Sequence, residues 1–294
     1  MNNRCIIFCF LIVSLFLSPA WADNFIFDLD GVLFRTDSVA ALKHIGLGNI
    51  IHTMLSLRKN SHAIQQYMET KFLEVLDKAA QEHGFDNSEK EHHAYYRDGQ
   101  ILPYFMGAWL RGAISGKDVS EKVINSINAN PEWFRVKREA QLISNLVTLV
   151  FTPENLVKSR KINKRAADFV LARKKEGHKL YVLSNWDPDS FELLRRRYYR
   201  LFDLFDGLLI SGTINSVKPS PLIYKTLLES HELIAGQSWF IDDQQENIVA
   251  ACDLNIKGIL CERRKGSKKP DFYLIGQKIP NCKTPKERRI LRKI

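Results

Sequence analysis

Beyond its N-terminal stretch, the chain has no apolar run long enough to cross a bilayer. No internal repeat stands out, which excludes a solenoid or propeller built from one recurring unit. Cysteine is sparse: of five, Cys5 and Cys9 fall in the first 22 residues, leaving Cys252, Cys261 and Cys282. Three cysteines allow one disulfide plus one thiol; Cys261–Cys282 would tie the tail to the body, and three buried thiols are the alternative. The body also lacks net charge. Of the formal +10, residues 262–294 carry +9, with twelve Lys/Arg against Glu262, Asp271 and Glu287. Arg4 supplies the remaining unit, so residues 23–261 are neutral and the basic balance describes a tail. What remains is ordinary globular material, 45% hydrophobic and 26% charged, in 294 residues, enough for one large domain or two small ones.

The first 22 residues read as a targeting segment. Arg4 gives a short positive region, Cys5 to Leu17 is almost wholly apolar, and Ala20-Trp21-Ala22 ends in small-x-small. The pattern predicts a signal peptide cleaved after Ala22 and an exported protein, periplasmic or secreted.

Asn24 to Phe34 reads N-F-I-F-D-L-D-G-V-L-F. Phe25, Ile26 and Phe27 suit a short buried strand of a parallel sheet. Asp28 and Asp30 lie two apart, so on extended backbone they point to one side, and Gly31 lets the chain bend. Two carboxylates that close resist ionising together unless a cation lies between them, and hard, oxygen-preferring Mg²⁺ is the natural candidate.

From Arg35 to about Val150 no strand-like alternation is visible, and the segment reads as helical. The spacing predicts helices over Ser61–Gly84, over about Leu102–Gly112, from near Asp118 or Ser120 to Pro131, and through Trp133–Val150. From Asn163 helix and strand alternate. Strands are predicted at Lys179–Leu183, Gly207–Ile210, Ser238–Ile241 and Lys257–Leu260. Between them lie helices over Ala166–Lys175 and Pro188–Tyr199, one entered through Ser220 as N-cap with Pro221 first, and one reaching Ala251. This alternation implies βαβ units and a parallel sheet, whose ligands bind beyond the carboxyl ends of the strands. Four polar clusters fall at such positions: Asp28/Asp30, Ser184/Asn185, Lys218 and Asp242/Asp243. Alone, each could be a turn, a surface lysine or a helix cap. Together they supply metal-binding carboxylates, a carboxylate nucleophile, hydroxyl and amide donors and a fixed cation, which is what phosphoryl transfer needs.

The order F-D-L-D-G-V, L-S-N-W, S-x₆-K-P and F-I-D-D-x₃-N resembles the haloacid dehalogenase superfamily of hydrolases, with all four motifs in order from Phe25 to about Leu260. The resemblance implies an α/β fold, a Rossmann-like parallel-sheet core (23–35 and 161–261) with an inserted all-helical cap (36–160) and a basic C-terminal tail (262–294). It implies that Asp28 takes the phosphoryl group as an aspartyl-phosphate. Asp30 protonates the leaving oxygen, later activates water, and offers its backbone carbonyl to Mg²⁺. Ser184 and the backbone beside Asn185 hold phosphoryl oxygens. Lys218 stabilises charge on Asp28 and the phosphate, Asp243 binds Mg²⁺ directly and Asp242 through water. Members that displace halide lack the second aspartate, so Asp30 favours a phosphatase. Trp109 to Ser115 (W-L-R-G-A-I-S) looks like a recurrent cap segment of the dehalogenase-like and small-phosphatase branch. The expectation is a Mg²⁺-dependent phosphatase for a small phosphorylated substrate, with no obligate protein partner evident. A mutase, a dehalogenase and a protein that binds through its tail are the alternatives.

Three features point elsewhere when read in isolation. His92-His93, between Glu89 and Glu91, has the wrong spacing for two ligands on one helical face. Arg195-Arg196-Arg197 reads as the polar side of a helix that turns Phe191 and Leu194 inward. In the tail, Thr284-Pro285-Lys286-Glu287 forms a fair capping box ahead of a short basic helix that could meet anionic lipid or nucleic acid; a solvated terminus is the alternative.

Overall fold

The computed structural model describes residues 22–88, 93–95 and 99–261. Residues 1–21, the basic tail with Cys282, and His92 lie outside these residues. His93 lies within them and places Nε2 2.8 Å from the Asn87 carbonyl.

Strand β1 (Asn24–Phe27) leads through a turn into β2 (Phe34–Thr36). Eight-residue α1 (Ser38–Ile45) and ten-residue α2 (Leu47–Ser56) follow. The insertion continues with α3 (Ser61–Glu82), α4 (Tyr104–Leu110), α5 (Gly116–Ala129), α6 (Lys137–Phe151) and α7 (Pro153–Lys158). β3 (Arg160–Ile162) then runs antiparallel to β2 in register Phe34–Ile162. The helical insertion is thus entered and left through one two-stranded ribbon. Such three-residue strands leave no readable alternation, which is why the sequence does not announce them.

The remaining chain builds the sheet: α8 (Lys164–Lys175), β4 (Lys179–Ser184), α9 (Pro188–Arg197), α10 (Tyr199–Phe202), β5 (Gly207–Ile210), α11 (Ser211–Ile214), α12 (Pro221–Ser230), β6 (Ser238–Asp242), α13 (Gln245–Asp253) and β7 (Lys257–Leu260). Five parallel strands stand in the order β5-β4-β1-β6-β7, with β1 central. The fold is α/β, as the alternation predicts.

Period-two alternation divides the sheet's apolar side chains between two cores. Phe25, Phe27, Leu180, Val182 and Ile241 join a core continuous with Phe105, Trp109 and Phe151 of the insertion. Ile26, Tyr181, Leu183 and Phe240 face the other way, against Ile223, Tyr224 and Leu227 of α12.

Two helix starts differ from the spacing. α5 begins at Gly116 because the Ser115 hydroxyl accepts from Asp118 N at 3.1 Å, capping it earlier than the apolar pattern shows. α6 begins at Lys137, since Pro131–Trp133 forms a separate 3₁₀ turn and Phe134 and Val136 are extended. Of the cysteines, Cys252 is disulfide-bonded and Cys261 is buried.

Phe27 is fully buried in the central strand, so Phe27→Ala should lower unfolding free energy by about 3–5 kcal/mol in chemical denaturation. Leu171→Ala, at a half-exposed helix position, should stay within about 0.5 kcal/mol of wild type.

Candidate active site

Parallel register brings distant motifs together. β1 pairs with β6 as Phe27–Ile241 and with β4 as Phe27–Val182. The ladder runs one residue further, with Asp28 N donating to Ile241 O at 2.9 Å. Asp28 therefore lies beside Asp242 at the carboxyl edge of the central strand. One oxygen from each of Asp28, Asp242 and Asp243 lies within 4.8 Å of the others.

Lys218 enters from the loop before α12. Its ammonium donates to Asp28 Oδ1 at 2.7 Å and Asp242 Oδ2 at 2.6 Å, and only 2% of it is exposed. The Asn185 side chain grips the Lys218 main chain from both sides: Lys218 N donates to Asn185 Oδ1 (2.7 Å), and Asn185 Nδ2 donates to Lys218 O (3.0 Å). The side chain of Asn185 thus positions the lysine, a role the motif alone does not reveal. Ser184 is buried at the end of β4, and its side chain pulls the Asp28 carboxylate towards the charged form.

Asp242 is fully buried and held on every side. Oδ1 accepts from Gln244 N at 2.8 Å, and Asn247 Nδ2 donates to both oxygens at 3.1 Å. Gly31 sits against the cluster with φ +90°. The backbone there favours glycine, and a Cβ would lie 2.3 Å from an Asp243 carboxylate oxygen, so any side chain would push that carboxylate aside.

Asp30 lies beyond the extended backbone on which the same-side reading rests. β1 ends at Phe27 and the chain turns at Leu29, so strand alternation does not reach Asp30. Its carboxylate is half-exposed and pairs with Arg160 Nη2 of β3 at 2.9 Å. Arg160 is held in turn by Ser159 Oγ, accepting from Nη1 at 2.9 Å, and by the Tyr198 hydroxyl, donating to its carbonyl at 2.8 Å. Sequence offered no signal for Arg160, because its partner lies 130 positions away.

The insertion reaches the core beside this edge. The Ser211 hydroxyl donates to the Leu110 carbonyl at 2.5 Å and accepts from Trp186 N at 2.9 Å. Gly112, at φ +73°, packs against Gly212 so tightly that a Cβ would lie 2.5 Å from its carbonyl oxygen. The W-L-R-G-A-I-S segment therefore serves packing at least: Trp109 is buried edge-on against Phe151 and Ser115 caps a helix.

Three carboxylates share one ammonium, and the electrostatics show it. Burial, with Asp242 nearby, pushes Asp28 up to about 6 against the pull of Lys218. Burial, then Asp242, Asp28 and Asp30, pushes Asp243 up to about 8. Burial opposes the charge on Lys218, but Asp242 and Asp28 outweigh it and hold the lysine protonated. A dry, oxygen-only donor set with surplus negative charge fits a hard divalent cation.

A parallel five-stranded α/β fold with acidic and lysine groups at its carboxyl edge defines a hydrolase-type site. The chain belongs to the haloacid dehalogenase-like hydrolases, whose family model matches residues 22–253. It is 31% identical over 86 residues to sesquiterpene phosphatase astK of Aspergillus oryzae, covering 29% of this chain and 43% of that protein. It is 27% identical over 130 residues to bifunctional epoxide hydrolase 2 of Rattus norvegicus, covering 43% of this chain and 24% of that protein. The matches thus span less than half the length of these curated relatives. The fold is similar to that of a HAD family enzyme from Bacteroides thetaiotaomicron, with TM-score 0.51 and 16% identity over 86% of this chain and 98% of that one.

Because Asp28 and Asp243 titrate above the ordinary aspartate value of about 3.9, protons favour the folded state. That contribution is complete below about pH 4 and is lost as pH rises through about 6 and about 8. In chelator, the melting temperature should fall between pH 5 and pH 8.5, and Mg²⁺ should raise it more at pH 8.5 than at pH 5. A flat profile in chelator would contradict this charge arrangement.

Proposed function

We propose that the chain hydrolyses a small phosphate monoester, in a Mg²⁺-dependent reaction, through an aspartyl-phosphate on Asp28. The observation that carries the reading is the Lys218 ammonium bridging Asp28 and Asp242, with Asp243 alongside and Asp30 two residues beyond the nucleophile. The similarity to a sesquiterpene phosphatase supports phosphoester chemistry.

Asp28 is the nucleophile. The Lys218 ammonium keeps its carboxylate charged despite burial and faces the oxygens on which phosphoryl charge develops. Ser184 Oγ and the backbone beside Asn185 donate to those oxygens. Asn185 keeps Lys218 aimed, while Asn247 and Gln244 N orient Asp242. Asp28, Asp243, the Asp30 carbonyl and Asp242 would hold Mg²⁺, Asp242 through water; the ion would neutralise the crowded carboxylates and the incoming phosphate. Asp30 gives a proton to the leaving oxygen and takes one from the water that cleaves the acyl phosphate. The helical insertion, hinged on the β2–β3 ribbon, caps the site and excludes bulk water. Export with cleavage after Ala22 belongs to the same proposal.

A chain that displaces halide needs no proton donor at position 30, so Asp30 disfavours that alternative. p-Nitrophenyl phosphate, whose leaving group needs no protonation, separates the roles. Asp28→Asn should abolish hydrolysis of every substrate. Asp30→Asn should lower steady-state kcat for both an alkyl phosphate and p-nitrophenyl phosphate by roughly 10²–10⁴-fold, because both pass through the same acyl phosphate, while a rapid burst of p-nitrophenol, one per enzyme, survives. Inactivity of the wild type on a broad phosphomonoester panel, or full activity in Asp28→Asn, would refute the reading.

A further inference from the structure

Helix α2, L-G-N-I-I-H-T-M-L-S, contains no Lys, Arg, Asp or Glu. One side packs on α6, with Thr53 buried and Ile50 partly buried. On the other side Leu47, Ile51 and Leu55, spaced four apart on one stripe, are 57%, 43% and 67% exposed. α1 repeats the pattern. Ala41 and Ile45 are buried beside Leu142 and Leu149 of α6, while Val39 and Leu42 are 62% and 41% exposed. Of the ten large apolar residues exposed among the described residues, five therefore fall between Val39 and Leu55. A helix apolar on both faces needs burial on both, and a patch this concentrated marks an interaction surface.

Charge selects the occupant. No Asp or Glu occurs between Asp37 and Glu69, and Asp37 itself pairs with Lys161 at 3.2 Å. Lys43 and Arg58, both exposed, flank the apolar stripe, so the face offers cations and no anions. Pairing it with a second copy of the chain would set these cations against their own equivalents across a two-fold axis. An anionic lipid surface satisfies both features: acyl chains receive the leucine-rich stripe, and headgroups receive Lys43 and Arg58. We propose that the outward face of α1 and α2 is a membrane-docking surface that seats this hydrolase on an anionic bilayer, independently of its catalytic centre.

Flotation of the full chain with phosphatidylglycerol–phosphatidylcholine vesicles tests this, with pure phosphatidylcholine vesicles for comparison. Wild type should float with the anionic vesicles, less with the zwitterionic ones, and amide hydrogens of 47–56 should gain protection only when vesicles are present. Leu47→Gln/Ile51→Gln/Leu55→Gln should weaken binding on the order of tenfold or more with an unchanged melting temperature. Lys43→Glu/Arg58→Glu should remove the preference for anionic lipid. Absence of vesicle binding by the wild type would overturn the proposal, as would unchanged binding by the triple-Gln variant, which would assign attachment to another part of the chain. A wild-type dimer that the triple-Gln variant converts to monomer would overturn it in favour of self-association.

Discussion

The Lys218 ammonium, lodged between Asp28 and Asp242, is the contact on which the site depends. Each of its partners is nearly or wholly buried, so each charge is tolerable only because the others are present. Removing the lysine would leave two carboxylates facing one another in a dry edge of the sheet. Much of the surrounding structure serves that contact. The parallel register sets Asp28 beside Asp242, Asn185 clamps the lysine backbone, and Asn247 ties down the far side of Asp242. Tyr224 continues outward, its hydroxyl donating to the Asn247 carbonyl at 2.9 Å. One ammonium still leaves the cluster too negative, and Asp243 records the excess in its raised pKa. That surplus of buried negative charge fits a hard divalent cation among the carboxylates.

The second organising device is the β2–β3 ribbon. All the helices from Ser38 to Lys158 hang from a pair of three-residue strands, and Arg160 within that pair holds the Asp30 carboxylate. The ribbon through which the insertion is entered and left therefore also holds the Asp30 carboxylate. The insertion also shares its apolar core with one face of the sheet, and Ser211 and Gly212 meet Leu110 and Gly112 at close range. The insertion is thus tethered to the core at two places, the ribbon and the Gly112–Gly212 approach.

Much of this was legible before any coordinates. The apolar runs F-I-F, L-Y-V-L and W-F-I mark the buried strands, because parallel strands covered on both faces need little polar alternation. The polar clusters follow these runs or begin helices, so a sheet that aligns strand ends gathers them. Less legible were elements whose cause is local but silent in hydrophobic pattern. The cap at Ser115 advances a helix start, and the 3₁₀ turn at Pro131 delays another.

Sequence alone determined the α/β class and the five strands of the sheet, and placed Asp28, Asp242, Asp243, Lys218 and Ser184 at strand ends or helix starts, since periodicity and local chemistry are written in neighbouring positions. Tertiary structure decided what those residues touch. Arg160 reaches Asp30 across 130 positions and Asn185 reaches Lys218 across 33, and neither pairing leaves a trace in local pattern. The apolar face of α1 and α2 belongs to the same lesson. The helices could be read as helical, but which of their two apolar sides the core would cover depended on where α6 came to rest.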